Sequence, residues 1–171
     1  MKIVHTTIAD IPMVEEIYSE ARAYQQQLTG YSWPVFSRSF IEQEIKETRH
    51  YKVVDEEGRI AGVFSIVFAE PVIWNDQEGE ALYLHRMASL KKYHGNNIAR
   101  KIVDWAMLEA RKLNRNYLRL DTWANNEGLT AYYQRLGFEW VGKKKLPPES
   151  DLMDHYNNLE VNLFQIRLDN N

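Results

Sequence analysis

Apolar and polar positions alternate along the chain in two periods, and the switch between them predicts the elements. "KIVH" opens as a short strand. Asp10 then caps a helix whose first turn suits Pro12, with Ile11, Val14, Ile17, Tyr18 and Ala21 at helical spacing. "LTGYSWPVF" breaks that period with Gly30 and Pro34 and gives a loop rich in aromatics, and a second helix is expected over Phe40 to Thr48. "YKVVDEEGRIAGVFSIVFAE" reads as two strands around a tight turn at "DEEG". An acidic loop over Asn75 to Gly79 precedes the strand "EALYLHRMAS". Next comes a helix with Ile98, Ile102, Trp105, Ala106, Ala110 and Leu113 on one face. "YLRLDTW" is a strand, and a short helix from near Asn126 ends at Gly137. "FEWVGKKK" and "EVNLFQIRL" close the chain as strands. Strands and helices alternate through the middle, which predicts an α/β arrangement around one mixed sheet. Nothing in the pattern reads as a linker, so one domain over 1–171 is expected.

Composition narrows the function classes. With 171 residues, 44% hydrophobic and 26% charged, the chain can bury one sizeable core. A net charge of -3 without a basic stripe argues against a nucleic-acid partner. The absence of cysteine removes disulfides, thiolate metal sites and a cysteine nucleophile, and fits a cytoplasmic protein. "MKIVHTTIAD" lacks an apolar signal core, and no apolar run approaches membrane-spanning length, so no membrane partner is expected. His50, His85, His94 and His155 are not at metal-ligand spacing, so no metal is expected.

The chemistry concentrates after Ser89, in "SLKKYHGNNIARKIVDWAML". This is a turn that leads into a helix. A helix N-terminus presents unpaired N–H groups and partial positive charge, and binds phosphate where the backbone can come close. The turn has one glycine, Gly95, followed by Asn96 and Asn97. Asparagine is the next most tolerant residue at positive φ. By spacing alone, a phosphate cradle and a polar cap on a core helix both stay open.

The stretches "LYLHRMASLKKYHGNNIARKIVDWAMLEARKL" and "YLRLDTWANNEGLTAYYQRLGFEWVG" resemble the GNAT superfamily of acyl-CoA-dependent N-acetyltransferases. That family carries Arg/Gln-x-x-Gly-x-Gly/Ala between a strand and a helix. An asparagine and a helix ending Tyr-x-x-x-Gly-Phe follow. Here Asn126, Tyr133, Gly137 and Phe138 match, and Gly95 and Ala99 fit the pattern seen in many members. His94 stands where the family usually has Arg or Gln, and Asn97 stands at the central glycine.

The resemblance implies a mixed, mostly antiparallel sheet flanked by helices on both faces. It implies acetyl-CoA as co-substrate, with pyrophosphate on the turn His94, Gly95, Asn96, Asn97, Ile98 and Ala99. The pantetheine arm would run along Met87, Ala88 and Ser89, with Asn126 and Tyr133 also on the cofactor. The implied reaction is direct attack of a primary amine, of a small molecule or a peptide, on the thioester. Tyr133 is then the general acid toward the departing sulfur.

His85, with an ordinary pKa near 6.5, is a candidate base. Glu80 and Asp121, at strand ends, could act through water. Tyr31, Trp33, Trp74 and Trp123 are candidates for the acceptor pocket, with Pro34 and Phe36 beside them. The same aromatics could equally form a satellite core under a long loop. The other reading is a non-catalytic acyl-CoA-binding or interaction protein on the same fold. Oligomeric state stays open, a homodimer among the options.

Overall fold

A computed structural model of the chain describes residues 1–75, 79–124 and 126–168. Its strands are β1 (Lys2–His5), β2 (His50–Val54), β3 (Ile60–Val67), β4 (Ala81–Ser89), β5 (Tyr117–Trp123), β6 (Glu139–Lys145) and β7 (Glu160–Arg167). Its helices are α1 (Ile11–Thr29), α2 (Arg38–Lys46), α3 (Pro71–Trp74), α4 (Ile98–Lys112) and α5 (Glu127–Arg135). The strands are ordered β1-β2-β3-β4-β5-β7-β6. The β1–β2, β2–β3, β5–β7 and β6–β7 ladders are antiparallel and β4–β5 is parallel, the mixed sheet that the resemblance implies. The chain resolves into two compact units, Met1–Ile66 with Arg86–Ile102, and Val67–His85 with Val103–Asn171.

In the first unit α1 buries Ile11, Val14, Ile17 and Tyr18, the face its spacing predicts. Each of those aliphatic side chains contributes about 1.5–3 kcal/mol when fully buried. The helix runs through Thr29 and ends at Gly30, which takes φ 72 and donates its N–H to Gln26. Ser37 caps α2 by accepting the Phe40 N–H at 3.2 Å, so α2 starts two residues before the expected Phe40. The β2–β3 hairpin closes on Asp55, whose carboxylate accepts the N–H groups of Glu57 and Arg59.

One buried histidine in this unit has a measurable consequence. His50 is fully buried between the Tyr18 hydroxyl (3.0 Å from Nε2) and the Thr6 hydroxyl (2.8 Å from Nδ1). Burial, reinforced by the Arg86 charge and opposed by Asp10, pushes its pKa down from 6.5 to about 3. The unfolded chain therefore binds one more proton than the folded chain between those values. Stability is full above pH 6.5 and falls as pH drops toward 3, by about 1.4 kcal/mol per pH unit once the difference is complete. In urea titrations from pH 7.5 to 4.5, His50→Gln should have a pH slope shallower than wild type by one proton. Equal slopes would show that His50 exchanges its proton as freely folded as unfolded.

In the second unit β5 pairs with β7 along its whole length, from Tyr117↔Arg167 to Trp123↔Val161. The β4–β5 ladder joins Ala81–Tyr83 to Tyr117–Arg119. Leu146, just past β6, and Val161 of β7 join Ile73 of α3 in a small core, with Trp74, Leu152, Tyr156, Leu159 and Leu163 around it. α4 buries Val103, Ala106 and Ala110 in this unit, and Ile98 and Ile102 of its first turns belong to the first unit. Leu113 lies past the helix end and is exposed, so Val103 completes the stripe in its place.

Candidate active site

The turn before α4 belongs to the first unit and is anchored from below. Residues Lys91–Tyr93 form a single 3-10 turn. The Lys91 N–H donates to the Glu20 carboxylate at 2.9 Å, and the Tyr93 hydroxyl donates to Asp55 at 2.7 Å. The Tyr93 and Arg59 hydrogen bonds hold the Asp55 carboxyl well below the usual carboxylate range, so it stays charged and the anchor persists.

Beyond Tyr93 the backbone reverses twice. Gly95 takes φ 86 with open space where a Cβ would stand, so backbone conformation and not crowding requires glycine there. Asn97 takes φ 56, the left-handed geometry a central glycine would adopt. Its carbonyl accepts the Lys101 N–H at 3.0 Å and starts α4. The N–H groups of Ile98 and Ala99 are then left without an acceptor inside the helix. Asn96 folds away, its N–H and its side-chain amide both donating to the Tyr93 carbonyl at 3.1 Å. Neither asparagine blocks the turn by its backbone, and the ring of His94 rests edge-on against Tyr24 at 5.8 Å.

The strand leading into this turn carries Met87, Ala88 and Ser89, with Ala88 buried and the other two half-buried. Gly62 of β3 lets it come close. A Cβ there would lie 2.7 Å from the Ala88 carbonyl oxygen and 3.2 Å from Ile98. The sequence pattern gave no reason to single out Gly62.

The remaining candidates lie in the second unit. Asn126 caps α5 by accepting the Leu129 N–H at 2.9 Å. Two turns on, the half-buried Tyr133 ring packs against Phe138 (5.9 Å) and Phe164 (5.5 Å), while Tyr132 is turned outward. Burial, with Tyr132 and the Asp121 charge adding to it, pushes the Tyr133 phenol well above its ordinary value. The hydroxyl therefore keeps its proton across the working pH range and stands as a donor.

His85 is not a lone strand histidine. Its Nε2 lies 2.8 Å from the Glu70 carboxylate, and both side chains are nearly buried. Glu70 precedes Pro71 at the start of α3. Lys144 of β6 locks that short helix, its Nζ donating to the Val72 carbonyl at 2.7 Å and to Asn75 at 2.8 Å. With Nε2 turned to the carboxylate, Nδ1 is the ring atom free to take a proton in the neutral tautomer. Such a pairing orients an imidazole base. Glu70 could be suspected in the sequence only as an acid before a helix-starting proline.

Glu80 is committed elsewhere, paired with Arg119 at 3.1 Å. Arg119 in turn lies between the rings of Trp74 (4.6 Å) and Tyr117 (4.5 Å). The aromatic candidates for the acceptor pocket divide between the units. Trp33 packs on Tyr18 and Phe36 in the first, where Phe36 is buried and Tyr31 is 67% exposed. Trp74 and Trp123 are in the second, Trp74 in the small core and Trp123 half-buried at the end of β5. Of the acidic loop, residues 76–78 lie outside those described. Among the described residues no group of acids and histidines is placed to hold a metal, and no helix is long and apolar enough to cross a membrane.

Comparison with known proteins adds three findings. The model of the acetyltransferase (GNAT) family matches residues 12–138. An uncharacterised N-acetyltransferase of Bacillus subtilis (strain 168), YesJ, is 27% identical over 101 residues, which span 56% of this chain and 56% of that relative. Among solved structures, a GNAT-family acetyltransferase from Listeria monocytogenes 4b F2365 superposes with a TM-score of 0.75 at 20% identity, covering 96% of this chain and 94% of its own. The yncA protein of Salmonella typhimurium, solved with its cofactor acetyl-CoA, gives 0.67 at 17% identity over 99% and 94% of the two chains.

Proposed function

The chain belongs to the acetyltransferase (GNAT) family, and from that premise we propose that it transfers an acetyl group from acetyl-CoA to a primary amine of a small molecule or peptide. The observation that carries this reading is the left-handed Asn97 at the start of α4. It supports a turn that offers backbone N–H groups to a pyrophosphate even though the central glycine is missing. The acetyl-CoA bound by the yncA protein of the same fold supports the choice of cofactor.

Each residue then has a defined task. The turn Gly95–Ala99 holds the pyrophosphate through main-chain N–H groups other than that of Asn96, which the Tyr93 carbonyl takes, and Met87–Ser89 and Asn126 hold the pantetheine amides. A backbone N–H at Met87 or Ala88 donates to the thioester oxygen as negative charge develops there. An ammonium cannot attack, so the acceptor first gives a proton to Nδ1 of His85, directly or through one water, with Glu70 stabilising the imidazolium. The amine nitrogen bonds to the thioester carbon, the C–S bond breaks, and the second amine proton balances the thiolate. Tyr133 donates a hydrogen bond to that sulfur. Its raised pKa makes full transfer to a thiolate uphill unless the thiolate is equally desolvated, so stabilisation by donation is its main contribution.

Calorimetric titration of acetyl-CoA into wild type, Asn97→Gly and Asn97→Val tests the cofactor half. Wild type should bind and gain thermal stability, roughly 2.7 kcal/mol at a hundredfold excess over Kd. Asn97→Gly should hold or improve affinity. Asn97→Val should weaken it, because a β-branched residue resists positive φ and crowds the phosphates. No heat and no thermal shift at millimolar ligand would remove the cofactor assignment. Equal affinities across the three proteins would show that this backbone does not touch the pyrophosphate.

A further inference from the structure

Among the described residues other than glycine that take positive φ, Arg86 alone lies inside a strand, at φ 50 in the middle of β4. The other five are Thr48 and four asparagines, all in turns or at element ends. Positive φ is disfavoured for a long side chain, and such a residue keeps it only where the surroundings hold it there.

The surroundings here are specific. The Arg86 guanidinium donates through Nη2 to the Glu44 carboxylate of α2 and to the Ser65 hydroxyl of β3, the latter at 2.6 Å. It lies over the rings of Phe36 (5.5 Å) and Phe40 (5.0 Å). Glu44 is 2% exposed, and the Arg49 guanidinium approaches the same carboxylate oxygen at 3.4 Å. The other Glu44 oxygen and the Arg86 Nε are buried without partners. A buried, incompletely bonded ion pair is weak evidence of stabilisation, because a packed apolar pair often serves as well. An ion pair fixed to two elements does supply direction, which an apolar pair does not.

We propose that Arg86 is a positioning residue. Its side chain, clamped by Glu44 and Ser65 and held against two phenylalanines, maintains the left-handed kink that aims the Met87–Ala88 backbone N–H at the thioester oxygen. The inference rests on the oxyanion role given above to that backbone. In a regular strand successive N–H groups point to opposite sides. A left-handed residue breaks that alternation between the two peptides it joins, here those carrying the Arg86 and Met87 N–H groups.

Glycine separates this role from packing, because it accepts positive φ without a side chain to hold it. Arg86→Met alone would strand a buried carboxylate and risk unfolding, so both test proteins also carry Glu44→Gln. In Arg86→Met/Glu44→Gln, φ at position 86 should leave the positive region in a crystal structure. Its kcat should fall on the order of 10²- to 10³-fold, the loss typical of a missing oxyanion donor, with acetyl-CoA affinity nearly unchanged. Arg86→Gly/Glu44→Gln removes more packing, yet should keep positive φ and recover much of the turnover. The infrared carbonyl stretch of bound ¹³C-labelled acetyl-CoA should lie at lower frequency in wild type and in the glycine variant than in the methionine variant. A methionine variant that keeps positive φ, or a glycine variant no better than it, overturns the clamp. A φ that reverts while the carbonyl stretch is the same in all three proteins leaves the clamp standing as structure. It removes the clamp's link to catalysis, and with it the oxyanion role of Met87–Ala88.

Discussion

Tyr133→Phe should lower kcat on the order of 10²- to 10³-fold while acetyl-CoA affinity stays nearly intact. The ring contacts with Phe138 and Phe164 survive the change, so folding should be little affected. Only the hydroxyl is lost, and it acts on charge that exists only as the C–S bond breaks. An interaction made only in the transition state shows in kcat and kcat/KM together. Because burial keeps the phenol protonated well past its ordinary pKa, the loss should be the same at pH 7 and pH 9. Tyr132→Phe is the matched control, one residue away and facing outward. Wild-type turnover in both variants, on a verified acceptor, would remove Tyr133 from the chemistry. A loss confined to Tyr132→Phe would place the donor on the neighbouring tyrosine.

The second large effect is expected at the imidazole–carboxylate pair. His85→Gln should cost on the order of 10²- to 10⁴-fold in turnover near pH 7. Glu70→Gln should cost less, since the imidazole remains but its orientation and its charged form lose support. A pH profile separates this base from a merely structural histidine. Free primary amines have pKa values near 10, so each unit of pH below that leaves about ten times less of the reactive form. Where the enzyme's base is gone, rising pH supplies deprotonated amine from solution. The gap between wild type and His85→Gln should therefore narrow steadily from pH 7 to pH 9.5. A gap that stays constant over that range, with Tm lowered in the variant, would mean that His85 holds the strand and moves no proton.

The local devices were legible in the sequence because their causes are local. A lone glycine followed by two asparagines announces positive φ, and the chain takes it at Gly95 and Asn97. Asn126 before an apolar-periodic run announces a cap, and it caps. Helix faces followed from spacing, apart from Leu113, which the end of α4 excludes. What stayed hidden depends on residues far apart in the chain. Glu70 becomes a partner only when α3, locked by Lys144 of β6, presents it to a strand fifteen positions on. Glu80, a plausible base at a strand end, is claimed by Arg119. Gly62 matters only because β4 passes 2.7 Å from where its Cβ would be. The kink at Arg86 has no sequence signal at all, since arginine is a poor choice for positive φ and is held there by α2 and β3. The aromatics of the α1–α2 loop and Trp74 illustrate the same limit. Composition left a binding surface and a satellite core equally open, and could not show that Trp33 packs on Tyr18 and Phe36 or that Trp74 lies by Arg119.

The most direct test of acetyl transfer is to incubate the protein with ¹³C-acetyl-CoA and a panel of small-molecule and peptide amines. Mass spectrometry then follows the label while free thiol is measured in parallel. Labelled acetyl should appear on an amine nitrogen in step with released CoA thiol, one for one, at a rate that scales with protein concentration. Acetyl-CoA that binds but passes no label to any amine, with thiol released only at the rate seen without protein, would contradict the enzyme and identify an acyl-CoA-binding protein on the same fold.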